Sequence, residues 1–100
     1  MGYTQEAYRS LVSLHESDPR NLDVLRVLAE YEKSRNNTSN EIAYRVKITK
    51  LDPWNAVNYY DLGLLYKQQG DGENLAKIRE KIIGFASNTE IAEKAKVDLN

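Results

Sequence analysis

Slid against itself, the chain agrees best at a shift of thirty-four residues, and no other feature constrains the fold as much. Asp18-Pro19 falls on Asp52-Pro53, Asn21 on Asn55, Leu28 on Leu62, Ala29 on Gly63, Thr4 on Thr38, and Leu14 on Ile48 and then Ile82. The shared residues are the types that start helices, end them, or must be small or apolar. One or two such pairs could arise by chance, but turn, cap and core positions recurring together mark a true repeat.

Between the turns the apolar spacing is helical. Leu22, Leu25, Leu28 and Ala29 form one stripe, and Tyr59, Leu62, Gly63 and Tyr66 form its equivalent one repeat later. A second helix follows each, with Ile42, Val46 and Ile48, or Leu75, Ile78 and Ile82, among its apolar positions. Thr38 with Glu41, and Ser87 with Glu90, have the spacing of a capping box, in which each partner satisfies an amide of the other's backbone. Thr4, Asn21, Asn55 and Asp71 are further candidate N-caps. Gly70 can take the left-handed conformation that ends a helix at little cost, and Asn36, its counterpart, is the next best residue there. Six helices are expected, at roughly 4–17, 21–34, 38–51, 55–69, 71–86 and 88–99, with Gly84 weakening the end of the fifth.

One hundred residues suit one compact domain, and 41% hydrophobic with 29% charged residues is a globular composition. No apolar run approaches the roughly 18 residues that cross a bilayer, so no direct membrane insertion is expected. Lys plus Arg (14) and Asp plus Glu (15) nearly cancel, which leaves no field to draw nucleic acid. The absence of cysteine excludes thiolate chemistry and a disulfide framework. It leaves the compartment open, with the cytoplasm slightly favoured and an extracytoplasmic setting open if the chain is part of a membrane protein.

Tyr59, Leu62, Gly63 and Tyr66 resemble the W-x2-L-G-x2-Y pattern of tetratricopeptide repeats, with Tyr for Trp, and Pro19 and Pro53 match the proline that ends the unit. Ala7 matches the small residue expected early in a second helix, whereas Glu41 and Leu75 replace it later, Arg45 and Arg79 replace an aromatic, and Leu25 and Glu32 replace the aromatics of the first complete repeat. Divided on that register, the chain is a second helix alone (4–19), two repeats (20–53 and 54–87), and a solvating C-terminal helix (88–99) whose apolar positions are Ile91, Ala92, Ala95 and Leu99. The resemblance implies an all-α, right-handed α-solenoid of antiparallel helix pairs. It also implies that Gly63 lets the second helix of its pair approach closely.

No catalytic constellation stands out. His15 is the only histidine, and its place near a helix C-terminus is explained by a cation's welcome at the dipole. Neither zinc nor any other cofactor has a ligand set, and the Gly70 and Gly72 turn lacks a phosphate-loop lysine. Asn36 and Asn37 each begin a glycosylation acceptor pattern, relevant only after export to a glycosylating compartment. The chain is therefore expected not to be an enzyme.

The resemblance further implies a concave groove that receives a partner protein or peptide on the first helices. Its residues would be Asp23, Arg26, Glu30 and Lys33 from one helix and Val57, Tyr60, Leu64 and Lys67 from the next. Packing against a neighbouring helix is the alternative account of Val57, Tyr60 and Leu64. Trp54 reads either as a recognition aromatic or as a brace over the repeat junction. The family's Lys, Asn and Arg clamp for a C-terminal carboxylate does not match: Arg26, Glu30, Asp61, Ile91 and Ala95 fall on its positions. Arg45, Lys47, Lys50, Lys77, Arg79 and Lys81 are expected on a solvated convex face. The expected function is that of an adaptor or scaffold for peptide segments. The alternatives are the soluble tail of a larger bacterial enzyme or membrane protein, such as a glycan polymerase or ligase, and a homodimer through the N-terminal helix.

Overall fold

A computed structural model describes residues 4–100, and among them every regular element is an α-helix. The six are α1 (Gln5–Ser17), α2 (Leu22–Ser34), α3 (Thr38–Leu51), α4 (Ala56–Gln69), α5 (Gly72–Phe85) and α6 (Glu90–Asp98). The backbone divides into two compact units, Met1–Leu51 and Asp52–Asn100. In the first, α2 packs mainly on α3 and also on α1; in the second, α4 packs mainly on α5, and α6 lies against both. The result is an all-helical, repeat-like arrangement of helix pairs.

Hydrogen bonds recur with the register of the sequence. The Asn21 side chain accepts from the Val24 amide at 3.2 Å and donates to Asp18 at 3.3 Å. Thirty-four residues on, Asn55 accepts from the Asn58 amide at 3.0 Å and donates to Asp52 at 3.2 Å. The hairpin turns match as well. Asn36 and Gly70 both take positive φ, 59° and 72°. The amide after each reaches back to close the helix end, Asn37 to the Glu32 carbonyl and Asp71 to the Tyr66 carbonyl, both at 2.9 Å.

Thr4, Asn21, Asn55 and Asp71 cap their helices as expected. The two capping boxes do not form. α3 already starts at Thr38, because the Glu41 amide donates to the Asn37 carbonyl, and the Glu41 carboxylate turns inward to Arg45 instead. At the other site Asn88 adopts φ 67°, which delays the next helix, so Thr89 rather than Ser87 accepts from the first turn, at the Ala92 amide.

The first core consists of Val24, Leu25, Leu28, Ala29, Tyr31 and Ile48, with Glu32, Glu41 and Arg45 buried among them. The second consists of Tyr59, Leu62, Ile78, Ile82, Ala92, Ala95 and Leu99. Gly63 meets the expected second helix of its pair and a further neighbour besides. A Cβ there would lie 2.6 Å from the Leu99 side chain and 3.3 Å from Ile78, so the glycine admits the end of α6 more closely than it admits α5. α6 buries Ala92, Ala95 and Leu99 and turns Glu93, Lys94, Lys96 and Val97 to solvent.

Candidate functional site

Helical spacing places Asp23, Arg26, Glu30 and Lys33 along one exposed line of α2, and Val57, Tyr60, Leu64 and Lys67 along the corresponding line of α4. The α2 line is charged, and part of it is paired within its own unit. Arg26 meets Asp23 at 3.2 Å between largely exposed side chains, a contact that adds little stability. Glu30 accepts from Arg45 at 3.4 Å.

The α4 line is mixed in character. Val57 is 60% exposed and Leu64 40% exposed, although Tyr59, Leu62 and Gly63 of the same helix are buried. Both leave apolar surface in water. Tyr60 and Lys67 are engaged by the end of α6. The Tyr60 hydroxyl donates to the Asp98 carboxylate, the Lys67 ammonium donates to the Asp98 carbonyl at 2.8 Å, and Lys94 lies 5.1 Å from the centre of the Tyr60 ring. The bond to Asp98, followed by burial, raises the Tyr60 pKa. Helix packing thus accounts for Tyr60, while Val57 and Leu64 keep part of their side chains in water.

Trp54 is 73% exposed, and one edge of its indole rests on Phe85 with centroids 5.5 Å apart. Phe85 in turn lies 5.6 Å from Tyr59. The indole therefore braces the α4–α5 pair along one edge while most of its surface stays free.

Two expectations about ionisable groups are corrected. Arg45 is not on a solvated face: it is 5% exposed, its Nε donates to Glu41 at 2.8 Å, and Glu41 is itself 3% exposed. Arg79, at the equivalent place in α5, is partly buried, and its Nε has no hydrogen-bond partner. Lys47, Lys50, Lys77 and Lys81 are exposed as expected. His15 is not held as a cation at the helix end. Burial and then the Lys47 ammonium, 3.4 Å from Nε2, lower its pKa.

A buried carboxylate that the sequence reading treated only as a departure from pattern ties three helices together. Glu32 is 1% exposed and accepts from the Tyr8 hydroxyl at 3.3 Å, Asn37 at 3.0 Å and Asn40 at 3.5 Å. Tyr8 stacks on Tyr31 at 4.2 Å, and its pKa is pushed up to about 12, first by burial and then by the Glu32 charge. A hydrogen-bonding set of Tyr8, Asn37 and Asn40 around Glu32 was visible in composition but not in spacing, since its members come from different helices and a turn.

Among the described residues no group of His, Cys, Asp and Glu is arranged to hold a metal ion, and no helix is long and apolar enough to cross a membrane. Comparison of the chain with protein-family models gives no match, and comparison with curated proteins gives none either.

Proposed function

We propose that the chain is a tetratricopeptide-type interaction module, a non-enzymatic adaptor that holds a peptide segment of a partner protein on the exposed line of α4. The observation that carries this reading is the exposure of Val57 and Leu64 on one helical line that ends at Lys67. Apolar side chains kept in water beside a cation suit a peptide with apolar anchors. The charged line of α2 offers a second surface on its own unit. The test is a short-peptide array probed with the parent chain and with a Val57→Ser/Leu64→Ser variant of unchanged melting temperature. The reading predicts peptides retained by the parent and lost by the variant; equal retention would place binding elsewhere.

A second reading, assembly, is favoured by Leu14. Ile48 and Ile82, its equivalents, are 1% and 0% exposed, whereas Leu14 is 45% exposed. A helix against α1, from a second copy of the chain or from the rest of a larger protein such as a glycan polymerase or ligase, would cover it. Sedimentation over a range of concentrations separates these roles. A mass that rises with concentration and is reset by Leu14→Ser supports the homodimer, and a constant mass refutes it.

A further inference from the structure

The two units place an arginine at the same point of the second helix and treat it differently. In the first, Arg45 Nε donates to Glu41 at 2.8 Å and its terminal nitrogen reaches Glu30 at 3.4 Å. In the second, the thirty-four-residue register puts Arg79 on Arg45, Leu75 on Glu41 and Leu64 on Glu30. Both places from which a carboxylate reaches Arg45 are thus filled by leucine. The Arg79 Nε is withdrawn from water and has no hydrogen-bond partner. An arginine stays charged at any physiological pH, and a guanidinium nitrogen that has lost water without gaining an acceptor is destabilising.

From these observations we infer that Arg79 is a binding site for a carboxylate supplied by a partner, an Asp or Glu side chain next to an apolar residue that rests on Leu64. This rests on the proposed peptide-binding role of α4 and narrows its ligand class to acidic segments. Charge complementarity selects the occupant. The partner carboxylate would meet the terminal nitrogens of the Arg79 guanidinium from solvent, as Glu30 meets a terminal nitrogen of Arg45, and the planar fork of the guanidinium favours a carboxylate over a neutral amide. Leu64, 40% exposed, supplies the apolar floor. The same leucine that removes the internal acid thus provides a contact for the external one.

The experiment uses the whole chain and an array of short peptides in which each Asp- or Glu-containing member is printed beside its Asn or Gln counterpart. The acidic member of each bound pair is expected to bind about tenfold or more tightly, and Arg79→Gln should abolish that preference. Leu64→Glu restores the first unit's arrangement within the second. It should raise the melting temperature, because Arg79 gains an internal acceptor, and it should remove acidic-peptide binding. Equal binding of acidic and neutral members overturns the Arg79 inference and leaves the peptide-binding reading intact, whereas absence of binding to any peptide overturns both. A Leu64→Glu chain that melts lower than the parent would contradict the pairing itself, independently of any ligand.

Discussion

Arg45 lies buried between two carboxylates of its own unit, whereas Arg79, at the matching place, has leucine at both matching positions of the register and leaves its Nε without an acceptor. The same contrast runs through the rest of the two helix pairs. Where the first buries Glu32 in a net of Tyr8, Asn37 and Asn40, the second has Tyr66; where the first has Ala29, the second has Gly63 to admit Leu99. The backbone around these differences is conserved down to the hydrogen bonds of the turns. One helix-pair plan thus supports two interiors, one closed by its own polar groups and one closed by α6 and left with an arginine Nε without an acceptor and with exposed apolar side chains.

The strongest way to break that comparison is to truncate each arginine to methionine. Arg45→Met leaves Glu41 buried without its cation and should cost about 3–5 kcal/mol in denaturant unfolding. Arg79→Met removes a group with no internal acceptor and should change stability by less than about 1 kcal/mol. Similar losses at both positions would show that Arg79 has an internal role equal to that of Arg45.

A second pair of substitutions sharpens the difference at the small residue. Gly63→Ala drives a methyl into Leu99, which is 1% exposed and has little room to withdraw, so unfolding should become easier by about 1–3 kcal/mol despite alanine's better helix propensity. Ala29→Gly relieves no crowding and should cost only about 0.5–1 kcal/mol, from backbone entropy.

Acidification through the histidine range should act on the first unit, since the only histidine is there, whereas Asp71, whose pKa the bonds to Asn74 lower, brings an acid response of the second unit only at lower pH. The groups facing His15 are Lys47, Tyr44 and Glu16; burial and Lys47 lower its pKa, and Glu16 opposes them. A base whose folded pKa is lowered binds fewer protons in the folded state. Its contribution is therefore complete above the unfolded value of 6.5 and is lost as pH falls through the lower folded value. Amide exchange at α1 should accelerate on acidification below that value, and His15→Asn should remove the acceleration. Equal acceleration in the second unit would assign the effect to other groups.

The smallest expected effects come from exchanging the turns. Asn36→Gly should stabilise the first hairpin by up to about 1 kcal/mol, because glycine takes the left-handed conformation without steric cost. Gly70→Asn should cost a comparable amount. Thermal melts of both variants, compared with the parent, check the equivalence of the turns.

What the sequence made legible follows from what is local. Asn21, Asn55, Asp71, Asn36 and Gly70 act within a few residues of themselves, so their roles could be read from position alone. The capping boxes failed for a tertiary reason: Glu41 has the right spacing to cap, but Arg45 one turn on is the stronger partner in a dry core. Arg45 was misplaced on the surface because a buried arginine is rare and its second acid, Glu30, comes from another helix. Of the α4 line, Val57 and Leu64 are exposed, but the engagement of Tyr60 and Lys67 by Asp98 depended on where α6 ends and could not be read from either helix by itself.

The account turns on Arg79 being the unsatisfied copy of Arg45. Nitrogen-15 NMR of the two Nε–H groups reads this directly, in the free chain and after addition of the tightest-binding acidic peptide from the array. The account predicts that the Arg45 signal stays fixed while the Arg79 signal moves when the peptide binds. An Arg79 signal that does not respond to a bound peptide, or an Arg45 signal that moves as far, would contradict it.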